Sequence, residues 1–539
     1  MTAMTKSHSV IYKYRYLWLA LACLCAVIPN FFPRWKTALP YPNQMLLLFG
    51  LAAAFAAYLF IAPKKGDREG ADRALVFLIL AAGLVIRFVY VAYTDWNIRQ
   101  HDVGDTEGHL AYMLYIMKGD APIENFREGG FFAFHLPDFD VSDGHWQFYH
   151  PPLWHFLCAL WMKLQMYLGV AFETARENLQ VLSLYCSGVI LLASHALFRR
   201  FNLRGGGMLL ACMLTAFHPA FIILSGSINN DVLSLALTLV SLVLAIDWYR
   251  KPSFRRIIPL AFAIGGAMMA KLSAGTVAVA VAFLFLLRFI RSAKKGKTLG
   301  QFGVFGALCV PTALWWQIRN LIAHGVNPLY VPGLSETSSQ YVGFRSKLAR
   351  LFDPSALFDF GVYPARATKN LSQTYGFTYY EYCIPLAALK TSLFGEYYLG
   401  ASDPLFSAVA VVLFACAVCV SAAAVVCAAG YGVCALRSLK TRDFSAKYGF
   451  SAAEFAAVLI FIATQIVSYV LFCFKFPHFC TMDFRYIALL AVMAALFFGL
   501  LYGRLRGSGK PWAKYLSYAL AAVAVLFSLS ALGIYGGVK

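Results

Sequence analysis

Long apolar runs separated by short polar ones set the pattern of this chain. Measured against the roughly 20 residues a helix needs to cross a hydrocarbon core, the runs predict thirteen spans. They lie near 16–33, 44–62, 74–94, 178–198, 207–226, 232–248, 257–270, 274–291, 301–320, 403–435, 452–473, 486–504 and 514–535. The seventh and eighth are short or merged, and limits read this way carry errors of a few residues. No repeat, heptad or low-complexity tract interrupts the pattern. The predicted fold class is an all-α polytopic membrane protein of about thirteen transmembrane helices.

Basic clusters fix the expected topology. They occur at Lys6/Lys13/Arg15, Lys64/Lys65/Arg68/Arg73, Arg199/Arg200/Arg204, Arg250/Lys251/Arg255/Arg256, Arg291/Lys294/Lys295/Lys297, Arg437/Lys440/Arg442/Lys447 and Arg504/Arg506/Lys510/Lys514. With the spans above, every cluster falls on one side, which the positive-inside bias makes the cytoplasm. The N-terminus is then cytoplasmic, and two long loops, 95–177 and 321–402, face outward. The run Leu153 to Phe172 is apolar enough to cross, but a crossing there would carry Arg199, Arg200 and Arg204 outside. It is therefore expected to lie in the interface, its helix opened by Pro151-Pro152. The run Tyr16 to Phe32 has no small-residue cleavage site and is expected to be a retained anchor. The organisation follows: 1–73, two N-terminal helices and a cytoplasmic linker; 74–320, a core with the outer loop 95–177; 321–402, a second outer loop; and 403–539, the C-terminal helices. A cell (inner) membrane location with a site on the outer face is the expectation.

Composition agrees with this class. Sixty per cent of the 539 residues are hydrophobic and 13% charged, against about 25% charged in an average soluble domain; mean hydropathy is +0.64. The net charge of +20 is spread over inter-span clusters instead of forming a stripe, which argues against a nucleic-acid partner. The 13 cysteines show no zinc spacing, and most sit in apolar runs as small core residues.

One stretch departs from the apolar background. Arg99-Gln100-His101-Asp102-Val103-Gly104-Asp105-Thr106-Glu107-Gly108-His109 follows the third span, and Tyr149-His150-Pro151-Pro152-Leu153 closes the same loop. Carboxylates and histidines this dense at a membrane boundary mark a functional site. The same region supplies ligand types for a divalent metal, but no spacing is diagnostic, and a phosphate's charge is equally met by Lys or Arg. No cofactor is required. Asn229-Asn230-Asp231 joins two spans with almost no loop, suiting either a substrate contact or a turn and cap. Lys271 and Arg485 are basic residues on the outer side despite the positive-inside bias, so each is either a phosphate ligand or a snorkelling side chain. His155 and His218, on apolar faces, are read as core histidines.

In order and placement these pieces resemble the GT-C superfamily of integral-membrane glycosyltransferases. The likeness is to its protein O-mannosyltransferase and lipid A aminoarabinose transferase branch, glycosyltransferase family 39. It rests on Gln100-His101-Asp102-Val103-Gly104, Gly108-His109, Trp146 to Leu153, Ser227 to Asp231 and Asp483-Phe484-Arg485-Tyr486, from about residue 74 to about 505. The acids here are spread over Asp102, Asp105 and Glu107 instead of forming the branch's usual Asp-Glu pair, and two spans precede the one matching the family's first.

The resemblance implies a GT-C-like bundle with interfacial juxtamembrane helices in the first long loop. It also implies transfer of a sugar from a polyprenyl-phosphate donor to a glycan, lipid or protein acceptor. Because phosphate already leaves well, one base to take the acceptor's proton and a cationic cradle suffice, unlike the carboxylate pair of glycoside hydrolases. A single displacement inverts the anomeric centre. Asp102 is the first choice of base, with Asp105 or Glu107 next and His109 on the same helical face as Asp102 and Asp105. His101, Tyr149, His150, Asn229, Asn230, Asp231, Lys271, Asp483, Arg485 and Tyr486 are the substrate-binding candidates, Lys271 and Arg485 for the phosphate. Membrane lipids are the other partner.

Two rival classes remain. A transporter or lipid flippase would use broken spans, of which 257–270 and 274–291 are the best example, but no inverted repeat is present. A ligase or polymerase of lipid-linked glycans would carry a late outer loop rich in Arg, and 321–402 holds only Arg345, Arg350 and Arg366.

Overall fold

The computed structural model describes residues 68–92, 103–119, 131–136, 147–338, 340–355, 381–395, 404–441 and 444–536, with Thr94, Trp96 and Leu357. In chain order its helices are α1 (Arg68–Ala92), α2 (Val103–Lys118), α3 (Leu153–Tyr167), α4 (Phe172–Glu177), α5 (Gln180–Arg200), α6 (Gly205–Ala216), α7 (Pro219–Gly226), α8 (Asp231–Arg250), α9 (Phe254–Ala270), α10 (Val277–Arg291), α11 (Lys295–His324), α12 (Lys347–Phe352), α13 (Ile384–Phe394), α14 (Pro404–Thr441), α15 (Phe444–Tyr448), α16 (Ala452–Lys475), α17 (Leu489–Arg506) and α18 (Pro511–Tyr535). Short 3₁₀ turns cover Leu272–Thr276, Phe479–Met482 and Phe484–Ile487.

The protein is an all-α polytopic membrane protein. Among the described residues, eight helices are long and apolar enough to cross a membrane, or nine with the bent pair α6–α7. The predicted spans 16–33 and 44–62 lie outside the described residues, while each of the other eleven falls on a helix. α3, at 15 residues, is not among the helices that pass the spanning test.

Two limits need correction. The run 207–226, expected as one span, is broken at Phe217-His218 with a 43° bend, because Pro219 has no amide proton to continue the ladder. The freed carbonyls are taken from another helix. Arg87 of α1, fully buried, donates to the Ala216 carbonyl and, at 3.3 Å, to that of Thr215; it also reaches Gly83 O at 2.7 Å and Ser187 Oγ at 2.8 Å. On the far side of the break, His218 Nδ1 accepts the Ala220 amide at 3.3 Å. The span expected from 486 starts instead at Leu489, and Arg485 belongs to the 3₁₀ turn before it.

α8 is the central helix. Of its apolar window 72% is enclosed, against 22% for α11, and it packs on α5, α9 and α10. α9 lies between α8 and α11, α10 meets α16, and α6 lies against α1 and α17. Lipid is as apolar as the helix faces, so packing and small residues decide which helices meet. At the α9–α11 crossing a Cβ on Gly265 would sit 2.0 Å from Thr312 Oγ1, and at α6–α17 one on Gly207 would sit 2.7 Å from the Gly499 carbonyl. Both crossings therefore require glycine.

The two ends of the bundle differ. At one end Arg200 pairs with Asp247 (Nε to Oδ1, 2.8 Å), and Arg250 pairs with Glu454 and donates to the Arg200 carbonyl at 2.6 Å. This is the end of the basic clusters. Asp231, Lys271 and Arg485, at the other ends of α8, α9 and α17, meet at the opposite one.

Candidate functional site

At that opposite end the helix termini line a half-open cavity of about 320 Å³. Each terminus brings a polar group there because the helix stops. α8 is preceded by the turn at Asn229-Asn230, in which Asn229 Oδ1 accepts the Asp231 amide at 3.1 Å. Asn230 Nδ2 donates to the Ala270 carbonyl at 3.0 Å, satisfying the last carbonyl of α9. α9 then gives way to extended backbone at Lys271, which turns this residue back toward α8. From the third direction, Asp483 Oδ1 accepts the Arg485 amide at 2.7 Å and opens a 3₁₀ turn. That turn is tied to α13 by the Phe484 amide donating to Thr391 Oγ1 at 2.9 Å.

A charged knot results. Lys271 Nζ lies 2.5 Å from Asp231 Oδ1, and Arg485 Nε lies 3.8 Å from Asp231 Oδ2. Lys271 also stands 4.6 Å over the Tyr486 ring, a favourable cation–π contact. Two cations and one anion, Lys271, Arg485 and Asp231, line the cavity. Asp483, buried beside them, has its carboxyl pushed above the usual range, first by burial and against the pull of the Arg485 guanidinium and amide. Among the charged side chains that line the cavity itself, cations outnumber anions two to one.

Histidines form the neighbouring wall. His109 of α2 and His150 line the cavity. His109 Nδ1 lies 2.8 Å from His155 Nε2, and the three rings stack nearly parallel, with centroids 5.1 Å apart for His109–His155 and 5.8 Å for His109–His150. The Tyr112 hydroxyl donates to the His150 carbonyl at 3.1 Å and holds the loop before α3. Burial pushes the His150 imidazole well below its ordinary value, with Lys271 and then His109, His155 and Arg485 adding to the shift. His155 is pushed the same way by burial and by His109. Both are neutral near pH 7.

Of the sequence-predicted residues, the cavity gathers His109, Tyr149, His150, Asn230, Asp231, Lys271, Arg485 and Tyr486. Asn229 and Asp483 are buried behind it. His101 and Asp102 lie outside the described residues; Asp105 falls in the first turn of α2, one turn before His109. Glu107 is exposed and is not among the lining residues. His155, read as a core histidine, is indeed fully buried, but its contact to His109 joins it to the site. Sequence reasoning missed Trp316, Gln317 and Asn320 of α11 and Gln465 of α16, which also line the cavity. The polar residues at the end of the apolar run 301–320 were the available signal. Among the described residues no group of three His, Cys, Asp or Glu side chains is placed to hold a metal ion.

Fold and site together define a multi-pass membrane protein with a half-open cavity, lined by Lys271, Arg485 and Asp231, at one end of its bundle. Residues 126–344 match a family of unknown function (DUF6541). No curated protein matches the chain. Among solved structures, it is similar to an archaeal oligosaccharyltransferase, AglB from Archaeoglobus fulgidus, in complex with an inhibitory peptide and a dolichol-phosphate, at 14% identity and a TM-score of 0.42, with 86% of this chain and 56% of that chain covered. The chain thus spans little more than half the length of that protein.

Proposed function

We propose that this protein is a glycosyltransferase that moves a sugar from a polyprenyl-phosphate donor to an acceptor at the outer face of the membrane. The observation that carries the reading is the pair of cations beside Asp231. Lys271, just after α9, and Arg485, in the turn before α17, come to one cavity at a bundle end whose lining holds one carboxylate, Asp231. A lipid phosphate supplies the missing negative charge, Arg485 gripping it through a planar fork and Lys271 as a point charge. The neutral His150, with His109 beside it, adds hydrogen-bonding groups to the same cavity.

The base of this reading is Asp102, one residue before α2, with Asp105 next. α2 reaches the cavity through His109, and Asp105 precedes His109 by four positions, the spacing that places residues on one helix face. The carboxylate takes the acceptor's proton as the acceptor oxygen or nitrogen bonds to the anomeric carbon and the C–O bond to phosphate breaks. The electron pair leaves on the phosphate, between Lys271 and Arg485. One displacement inverts the centre. No metal is needed for this charge balance.

A transporter would use the break between α6 and α7. The carbonyls and amide at that break are bonded by Arg87 and His218, so they are not left to a transported solute, which favours the enzyme.

The test is turnover of polyprenyl-phosphate sugars by the purified full chain. Asp102→Asn is expected to lower turnover by at least about 10²-fold, the low end of general-base contributions, with donor affinity kept; Glu107→Gln leaves the rate near normal. Retained turnover in Asp102→Asn, Asp105→Asn and Glu107→Gln alike, or movement of a lipid without a new glycosidic bond, refutes the reading.

A further inference from the structure

α1 has one face that no other described element covers. Leu75, Leu78 and Val85 on it are 46%, 46% and 37% exposed, and Ala82 between them is exposed as well. Steps of three, four and three residues along the chain put all four on a single helical stripe. The rest of α1 is occupied. It packs on α5, α6, α7 and α18, and Arg87, which bonds the carbonyls at the α6–α7 break, lies on the opposite side of the helix from the stripe.

Lipid is as apolar as these side chains, so apolarity alone does not choose what covers them. The tether and the shape do. Immediately before α1 stands the predicted span 44–62, which lies outside the described residues and is joined to α1 by five residues, Pro63 to Asp67. Such a linker reaches at most about 18 Å. It is the length that joins two antiparallel helices, and it holds the run beside α1 at an effective concentration that a second copy does not match.

Shape then sets a register. As a helix, the run 44–62 carries Leu47, Gly50, Ala54 and Ala57 on one face, with the spacing of the α1 stripe in reverse. In an antiparallel hairpin centred on Gly66 the two stripes meet one for one. Ala57 falls opposite Leu75, Ala54 opposite Leu78, Gly50 opposite Ala82 and Leu47 opposite Val85. Each leucine of α1 thus faces an alanine, and the closest approach comes where Gly50 meets Ala82. Small residues placed in this way let helix backbones approach in lipid, where packing drives association.

We propose that the run 44–62 docks as a helix antiparallel to α1, on the face formed by Leu75, Leu78, Ala82 and Val85. α1 then joins the N-terminal segment on one side to the α6–α7 break, through Arg87, on the other. The proposal does not depend on the glycosyltransferase reading.

The test replaces Leu78 by the photoreactive residue p-benzoylphenylalanine in the full chain, in nanodiscs, and identifies its adducts by mass spectrometry of proteolytic fragments. Mixing chains of natural and heavy-isotope composition separates adducts within one chain from those between two. The probe at position 78 is expected to mark residues around Ala54 of its own chain, and the same probe at position 75 residues around Ala57. Ala54→Leu fills the space opposite Leu78 and should remove these adducts, because overpacking displaces the helix. Ala52→Leu, on the opposite face of the run, should leave them in place. Gly50→Ala, a milder change at the closest approach, should lower their yield and carries the test should Ala54→Leu fail to insert. The proposal is overturned if position 78 marks lipid alone, another segment of the chain or a second copy, or if Ala52→Leu removes the adducts as fully as Ala54→Leu.

Discussion

Lys271 and Asp231 offer a pair of substitutions whose effects should run in opposite directions. Lys271 Nζ lies 2.5 Å from Asp231 Oδ1, and its side chain is only 14% exposed, so solvent screens it little. Lys271→Met leaves Arg485 and Asp231 facing each other at 3.8 Å, and the lining then carries one cation and one anion. A charge-assisted contact to phosphate is worth about 1.5–3 kcal/mol. Affinity for polyprenyl phosphate should therefore fall by about 10–100-fold. Asp231→Asn removes the internal competitor instead, leaving both cations to the ligand. It should bind the phosphate at least as tightly as wild type, while two uncompensated cations lower stability by about 3–5 kcal/mol. Equilibrium binding of a fluorescent polyprenyl phosphate to protein in nanodiscs, with neutral polyprenol as control, reads the first effect, and thermal unfolding the second. If both variants weaken phosphate binding equally, the knot is a structural ion pair and the phosphate binds elsewhere.

Other outcomes follow from the same geometry. Arg87→Met strands the Ala216 carbonyl at the α6–α7 break and should cost about 1–3 kcal/mol in reversible unfolding, with Arg87→Lys restoring part; a loss below about 0.5 kcal/mol would mean the break satisfies itself. His150 and His155 have imidazoles depressed in the folded state, so the unfolded chain takes up protons first as pH falls below about 6.5. Stability is complete above that value and should drop by about 1.4 kcal/mol per pH unit per histidine down toward the folded values, a slope that His155→Gln should reduce in unfolding measured from pH 7 to pH 5. Gly265→Ala forces a Cβ onto Thr312 and should destabilise the α9–α11 crossing by about 1–3 kcal/mol; Thr312→Gly should recover part of the loss in a double-mutant melt.

Much of the fold was legible along the chain. Backbone groups in lipid must be satisfied within the segment, which leaves helices as the economical solution for apolar runs of this length. The eleven predicted spans that fall on described residues are all helical for that reason. The positive-inside argument put Asp231, Lys271 and Arg485 at one end of the bundle, where the structure joins them. What a linear reading could not yield was who meets whom across helices. Apolar periodicity states that a helix is buried but not against which neighbour, and in lipid that choice falls to small residues such as Gly265 and Gly207. The break at His218 was invisible because its hydropathy is unbroken. Pro219 marked it locally, and only the arrival of Arg87 from α1 makes it tolerable. His155 looked like core because its segment is apolar, and it joined the site through one 2.8 Å contact to His109 on another helix. Trp316 and Gln317 closed an apolar run and read as its polar edge; the cavity they line is built by residues of α8 and α16 and by the turn after α9 as well as by α11. Composition and charge thus determined class, span positions and which end is polar, because the membrane acts on each segment separately. The cavity and its charge balance came from tertiary structure, because they depend on distances between segments that local sequence does not encode.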